Sequence, residues 1–328
     1  MTTTRTPPAP DPLRILYRGP LASCNYDCPY CPFAKRHDPP DLLRADRAAL
    51  RRFVGWVRDH PAEPVEVLFT PWGEGLTRSW YRDALVELSH LPNVGRAVIQ
   101  TNLSARLGWV ADADPAALAL WCTYHPGQVP LPRFLAACAT LRAHGIRHSV
   151  GIVGLPDHHA AAVTLRRELP ADVYLWVNAA DGHEYTAAEE AAWTAIDPLF
   201  AYSVRPHASH GRPCRAGTEA ISVLGDGTVR RCHFVQQPLG NLYDGTWEAS
   251  RRRVPVTITG PTPPAPRLQG PGVRGPAAGE PAASQPSTSQ SRPCPNEACD
   301  CHIGYVHLET LPLYDVFADG ILERIPRR

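Results

Sequence analysis

Between residues 13 and 200 the apolar positions follow two alternating rhythms: short continuous runs, and runs spaced at i, i+3, i+4 and i+7. The first kind reads as buried strand and the second as helix with one apolar face. Residues 13–17 are the first short run, and a helix follows in which Leu50, Phe53, Val54 and Val57 share a face. Residues 65–69 form a second strand. Ser79 is placed to cap a helix that buries Tyr81, Ala84, Leu85 and Leu88. Further strands are expected at 94–100, 118–124, 146–153 and 173–178, with helices at 132–144, closed by Gly145, and at 157–169. Thr186 and Glu189 have the spacing of a capping box for one more helix. Six β/α units imply an α/β fold, a parallel sheet with helices outside, and suit a partial (β/α)6 TIM-like barrel. Such barrels place their chemistry at the C-terminal ends of the strands.

After residue 202 the pattern changes. Residues 220–224 and 228–234 are short β runs around Gly225-Asp226-Gly227, a hairpin signal. Residues 254–293 then hold ten prolines, five glycines and no aromatic residue. Such a stretch cannot bury enough apolar surface to fold, so a disordered insertion is expected there. Loop closure costs grow only logarithmically with length, so the segment beyond it can still fold back. The expected organisation is a disordered stretch at 1–12, a core barrel at 13–201 and a small hairpin-containing domain at 202–328, interrupted by the insertion.

Formal net charge is +1 over 328 residues, without a strong block of either sign. The field that draws proteins to phosphate backbones is not advertised, which argues against a nucleic-acid partner. Residues 1–12 are Thr/Pro-rich without the apolar core of a secretory signal. No run of about eighteen apolar residues appears, so no membrane span is expected and a cytoplasmic setting is. Ten cysteines in a reducing compartment point to metals before disulfides. Cys122 and Cys138 lie in apolar contexts and read as small core residues.

Cys24, Cys28 and Cys31 have C-x3-C-x2-C spacing directly after the first strand. Three thiolates on one short loop can bind three irons of a [4Fe–4S] cubane and leave the fourth open to a ligand. The alternative is zinc. Structural zinc usually takes four ligands, and no fourth lies nearby in sequence.

This segment resembles the signature of the radical S-adenosylmethionine (SAM) superfamily, including the aromatic Tyr30 before the third cysteine. The resemblance extends over roughly residues 13–200. Trp72-Gly73-Glu74, after the second strand, is similar to the family's Gly-Gly-Glu motif, which implies that Gly73 and Glu74 hold the SAM amino group; Trp72 departs from the motif. Gly151 and Gly154 resemble the glycine motif that lets backbone approach the adenine. Asn102, His125 and Asn178 follow strands three, four and six, where polar residues of the family meet SAM or substrate. Asn102 and Asn178 could equally cap strand-to-loop turns, and His125 could be a satisfied turn histidine.

Cys214 and Cys232, in the order C-x12-G-x4-C across the hairpin, with Gly240-Asn241-Leu242 beyond, resemble the opening of the auxiliary-cluster (twitch and SPASM) domains of that superfamily. Cys294, Cys299 and Cys301 complete a set of five. Five are too few for two further clusters and enough for one auxiliary [4Fe–4S] on four of them. His207, His210, His233 and His302 keep zinc open as the alternative. Arg18-Gly19-Pro20 and the Cys-His-Ile-Gly-Tyr-Val-His near the end resemble an uncharacterised bacterial subgroup of the superfamily.

The resemblance implies reductive cleavage of SAM to a 5′-deoxyadenosyl radical, which takes hydrogen from a substrate. The leading substrate class is a peptide or protein-derived group, with a small molecule or RNA as the alternative. A flavodoxin or ferredoxin would supply electrons. In this chemistry the cofactor performs the hard step, and no side chain is assigned as acid or base. Two readings from other classes are a non-catalytic iron–sulfur carrier and a zinc-stabilised binding protein.

Overall fold

The computed structural model describes residues 11–33, 37–252 and 291–327. The expected disordered segments 1–12 and 254–293 lie outside the described residues, apart from 11–12 and 291–293.

Six parallel strands and five helices are present, one helix short of the six β/α units that the apolar rhythm predicts: a 3₁₀ turn (Gly108–Asp112) stands between the third and fourth strands. The parallel strands are β1 (Leu13–Arg18), β2 (Val65–Phe69), β3 (Val94–Thr101), β4 (Leu118–Thr123), β5 (Arg147–Val153) and β6 (Leu175–Asn178), in that spatial order. The helices between and after them are α1 (Pro40–Asp59), α2 (Ser79–Ser89), α3 (Leu131–Ala143), α4 (His159–Glu168) and α5 (Ala187–Thr194). α1 buries Leu50, Phe53, Val54 and Val57, and opens on Pro40, whose fixed φ suits a first helical position. Gly145 follows α3 at φ +71, the left-handed stop that glycine allows. The Thr186–Glu189 capping box forms at α5. Ser79 does not cap α2. A 3₁₀ turn at Gly75–Thr77, capped by the Glu74 carboxylate, brings the chain into the helix one residue early, with Arg78 at the cap.

Alternate strand residues face opposite sides of the sheet. Ile15, Val67, Ile99, Leu120, Ile152 and Val177 pack outward against the helices, where Cys122 and Cys138 are also buried. Leu16, Leu68, Val98, Trp121 and Trp176 face the concave interior.

The hairpin beyond residue 202 joins the sheet of the core, and the same segment adds two short two-stranded sheets beside it. After the short strands β7 (His207–Ala208) and β8 (Pro213–Cys214), β9 (Ala220–Leu224) pairs in parallel with β1, on the edge opposite β2. β10 (Thr228–Arg230) and β11 (Pro238–Asn241) add antiparallel, giving nine strands in the order β11-β10-β9-β1-β2-β3-β4-β5-β6. The β1 edge, otherwise a row of unpaired amides and carbonyls, is thereby covered. The hairpin forms with Gly227 at φ +87. Its second strand stops at Arg230 rather than 234, because residues 231–234 turn out of the ladder and Val235 N–H donates to the Cys232 carbonyl. α6 (Thr246–Arg252) follows.

The last segment closes the interior. β12 (Arg292–Pro293) pairs with β8, and β13 (Ala298–Cys299) pairs with β7. α7 (His302–Tyr305) and α8 (Leu313–Phe317) then lay Ile303, Tyr305, Leu308, Leu313 and Phe317 against the interior strand residues. At the N-terminal ends of the strands, Arg14 pairs with Glu66 (2.9 Å), and Glu323 receives Arg147 (2.8 Å) and Arg96 (3.6 Å). The floor is charged and paired. No helix among the described residues is long and apolar enough to cross a membrane.

Candidate metal centres

Cys24, Cys28 and Cys31 sit on the loop that leaves β1, and the chain leading to them is fixed by buried carboxylates. Asp38 accepts the amides of Ala22 and Ser23, both at 2.7 Å. Asp46, on the inner face of α1, accepts the Leu21 amide (3.1 Å), the Trp80 indole (2.7 Å) and the Tyr81 hydroxyl (3.3 Å). On the other side the turn after β2 lies flat on this chain. Trp72 N–H donates to the Leu21 carbonyl (3.2 Å) and Glu74 N–H to that of Ser23 (3.1 Å). A Cβ on Gly73, between them, would lie 1.9 Å from the Ser23 carbonyl oxygen. Only glycine permits that approach.

Around the sulfurs stand hydrogen-bond donors from the loops after β3 and β4. Cys24 Sγ accepts the Tyr26 amide (3.4 Å) and Asn102 Nδ2 (3.7 Å). His125 Nδ1 lies 3.5 Å from Cys28 Sγ and 3.0 Å from the Tyr30 hydroxyl, with the Tyr30 ring stacked on the imidazole. Asn102 Nδ2 also reaches Asn25 Oδ1 (3.1 Å), and Gln128 accepts the Asp27 amide (2.9 Å). Asn102 and His125 therefore do more than finish turns: they hold the cysteine loop. Burial pushes the Cys28 thiol up to about 11, opposed by its bond to Tyr30, and pushes His125 down to about 4. A thiol so placed ionises readily only with a cation beside it, as metal binding supplies.

The other predicted positions have partners within the protein. The Glu74 carboxylate is buried and accepts the Asn102 amide at Oε2 (2.6 Å), and the Thr101 hydroxyl (2.8 Å) and Leu76 amide (2.9 Å) at Oε1. Each oxygen has two lone pairs, so Oε2 retains acceptor capacity. Burial raises the Glu74 pKa, and these three donors act against it. The space above Gly151 is filled by Trp176: a Cβ there would meet the indole at 2.0 Å. Gly154 N–H donates to the Asn178 carbonyl (2.7 Å), and its carbonyl accepts Tyr185 Oη (2.9 Å). Asn178 Oδ1 accepts from Arg324 at 2.8 Å.

The five C-terminal cysteines also come together. β12 pairs Arg292 with Cys214, which brings Cys294 beside that strand. Cys214, Cys232 and Cys294 lie close enough for their charges to interact, and Cys299 neighbours Cys232, Cys301 and Cys214. Burial is the main cause of the raised pKa of Cys214, Cys232, Cys299 and Cys301. Arg231 acts the other way on Cys214 and Cys232 while its guanidinium donates to the Arg292 and Pro293 carbonyls. Of the four histidines that keep zinc open, His233 Nε2 pairs with the Thr70 hydroxyl (3.0 Å), and His207 Nε2 with the Tyr202 carbonyl (2.8 Å). His302 packs edge-on to Trp121, while His210 bridges to Cys294 through the backbone. Among the described residues no three His, Cys, Asp or Glu side chains converge on a single ion.

Sequence reasoning missed Asp38, Asp46 and Arg324. Asp46 had a signal: it falls in phase with Leu50, Phe53 and Val57, a charge on an apolar stripe. Arg324 had none.

No family model matches the chain, and no curated protein does. Among solved structures the chain is similar to histidine-tagged anSMEcpe with bound AdoMet, at TM-score 0.50 and 12% identity, over 73% of this chain and 77% of that one. Native anSMEcpe with bound AdoMet and Cp18Cys peptide follows at TM-score 0.48 and 15% identity, over 74% and 81% of the two chains. BtrN in complex with AdoMet and 2-DOIA is matched at TM-score 0.35 and 15% identity, over 73% and 85%. At such identities the likeness is one of fold: this chain shares its partial β/α barrel with anSMEcpe.

Proposed function

We propose that this chain is a radical SAM enzyme. The observation that carries the reading is the three-thiol loop at the C-terminal end of β1, with its own Tyr26 amide and, from neighbouring loops, the Asn102 amide and His125 imidazole beside its sulfurs. The fold supports it, being similar to that of anSMEcpe, a protein solved with AdoMet bound. Three soft thiol ligands with surrounding donors fit a [4Fe–4S] cluster. When bound there by Cys24, Cys28 and Cys31, such a cluster would supply the electron for reductive cleavage of SAM and so the hydrogen-abstracting chemistry.

The chain's own residues prepare that site. Asp38, Asp46 and Gly73 set the path into the loop, while Asn102 and the Tyr26 amide orient Cys24. His125, held neutral by burial, and Tyr30 shield Cys28. Glu74 Oε2 offers a buried carboxylate oxygen to the SAM amino group, a cation it would pair well. Gly154 and Asn178 lie at the C-terminal ends of β5 and β6 and are assigned to the nucleoside side of SAM, with Gly151 behind them under Trp176.

We assign residues 13–201 to the core and 202–328 to an auxiliary unit holding a second [4Fe–4S] cluster on four of Cys214, Cys232, Cys294, Cys299 and Cys301. The substrate class is a peptide or protein-derived group, an assignment supported by the likeness of the Cys214–Cys232 segment to auxiliary-cluster domains. A cytoplasmic flavodoxin or ferredoxin would be the electron source. The test is iron, zinc and sulfide content after anaerobic reconstitution, with EPR of the reduced protein before and after SAM is added. About eight irons with matching sulfide, the content of two cubanes, and a spectrum altered by SAM are expected. Zinc without sulfide would overturn the reading.

A further inference from the structure

Between the second half of α1 and the chain that follows β11 lies a cleft of about 460 Å³, with no cysteine among the described residues that line it. Its size falls within the range of small-ligand sites, about 300–1,000 Å³, and far exceeds the roughly 30 Å³ of one water. Gly55 forms part of the α1 wall. A glycine inside a helix destabilises it relative to alanine, and packing does not require this one. An added Cβ would meet only Arg58 Nη2, at an ordinary 3.6 Å. What Gly55 leaves open is the cleft. The opposite wall holds Gly245 at φ +75, with no described atom within 4 Å of the place of its Cβ.

The side chains lining the cleft are held in place, yet their polar ends are not satisfied. Arg52 lies over the Tyr243 ring at 3.8 Å. His60 stacks on Trp56 at 4.5 Å, and its Nδ1 pairs with the Trp56 carbonyl (2.7 Å). Trp56 is 9% exposed, and its Nε1–H has no hydrogen-bond partner among the described residues; Tyr243 Oη and Glu248 Oε2 are likewise buried without one. All three side chains line the cleft. Asp59, the other acid there, already has Arg58 at 3.6 Å. Buried polar atoms of native proteins are nearly always paired, so three unpaired at one cleft mark a place for a ligand. A simple cation would leave the indole N–H unmet, and an anion would face the Glu248 carboxylate. A planar group with an acceptor and a donor side by side answers both, and the peptide group is one. We infer that this cleft binds a short peptide segment, whose carbonyl accepts from Trp56 or Tyr243 and whose N–H donates to Glu248. The site goes beyond the proposed function and does not rest on it.

The experiment follows the Trp56 indole N–H by proton–nitrogen NMR of the reconstituted holoprotein, its signal identified by its loss in Trp56→Phe. The probe is N-acetyl-trialanine N-methylamide, and the control is its depsipeptide analogue, in which esters replace the amides. The peptide should move the signal saturably. The depsipeptide lacks the N–H that Glu248 accepts, so it should bind about tenfold more weakly or worse, as for loss of one hydrogen bond to a charged group. Glu248→Ala should weaken the peptide by a similar factor. Gly55→Leu improves the helix and fills the cleft, so it should fold and show no binding; should it fail to fold, the depsipeptide and Glu248→Ala decide. An indole signal unmoved by the peptide would leave the cleft to water and overturn the inference. So would equal binding of the depsipeptide, or full binding in Gly55→Leu. Propionamide binding as tightly as the peptide would restrict the site to a lone carboxamide and overturn it as well.

Discussion

Gly73 and Ser23 meet at a distance that no side chain tolerates: the Cβ that Gly73 lacks would sit 1.9 Å from the Ser23 carbonyl oxygen, one residue before Cys24. The turn after β2 is thus the mould for the cysteine loop. Gly73→Ala should force that loop away and abolish cluster binding there while the barrel stays folded. Iron content should fall by about half, from two cubanes toward one, with an unchanged far-UV circular dichroism spectrum. Full iron content in the variant would show that the contact does not shape the site.

Asn102 reaches both Cys24 Sγ and Asn25 Oδ1. Removing ligand-orienting partners typically costs about 10–100-fold in metal affinity or activity. Asn102→Ala should lower SAM cleavage by that order with little change in melting temperature. Unaltered cleavage would reduce Asn102 to the turn residue its Ser104 contact makes of it.

Trp176 occupies the place of a Gly151 side chain. Gly151→Ala should cost about 1–3 kcal/mol by overpacking, read as a lowered denaturation midpoint. Trp176→Phe should recover part of that loss, because residues in contact are not additive. Simple addition of the two costs would contradict the packing described.

The α/β units were legible because each strand and helix carries its own local apolar rhythm. Residues 65–69 form the expected strand, and the Thr186–Glu189 box closes as its spacing implies. The pairing of β9 with β1 was not legible, since it joins segments some two hundred residues apart and leaves no local mark. Nor was the filling of the barrel by residues 302–327, whose apolar positions follow no single period. Of the candidate site, Asn102 reaches Cys24 and His125 reaches Cys28, contacts with the cysteine loop that the sequence did not announce. Gly151 has Trp176 packed on it and Asn178 has Arg324 as a partner, neither of which the sequence marked. A buried arginine near the end of a chain is illegible because arginine defaults to the surface.

Cys232 lies with the C-terminal thiols. Cys232→Ala should remove the second cluster and stop substrate turnover, yet leave SAM cleavage largely intact. Loss of cleavage as well would make the second site structural.

The most direct measurement is the release of 5′-deoxyadenosine and methionine from SAM by dithionite-reduced, reconstituted protein, with Cys28→Ala beside the wild type. Equal amounts of both products from the wild type, and none from the variant, are the expected result. Wild-type protein carrying its full iron and sulfide but releasing no 5′-deoxyadenosine would contradict the assignment to radical SAM chemistry.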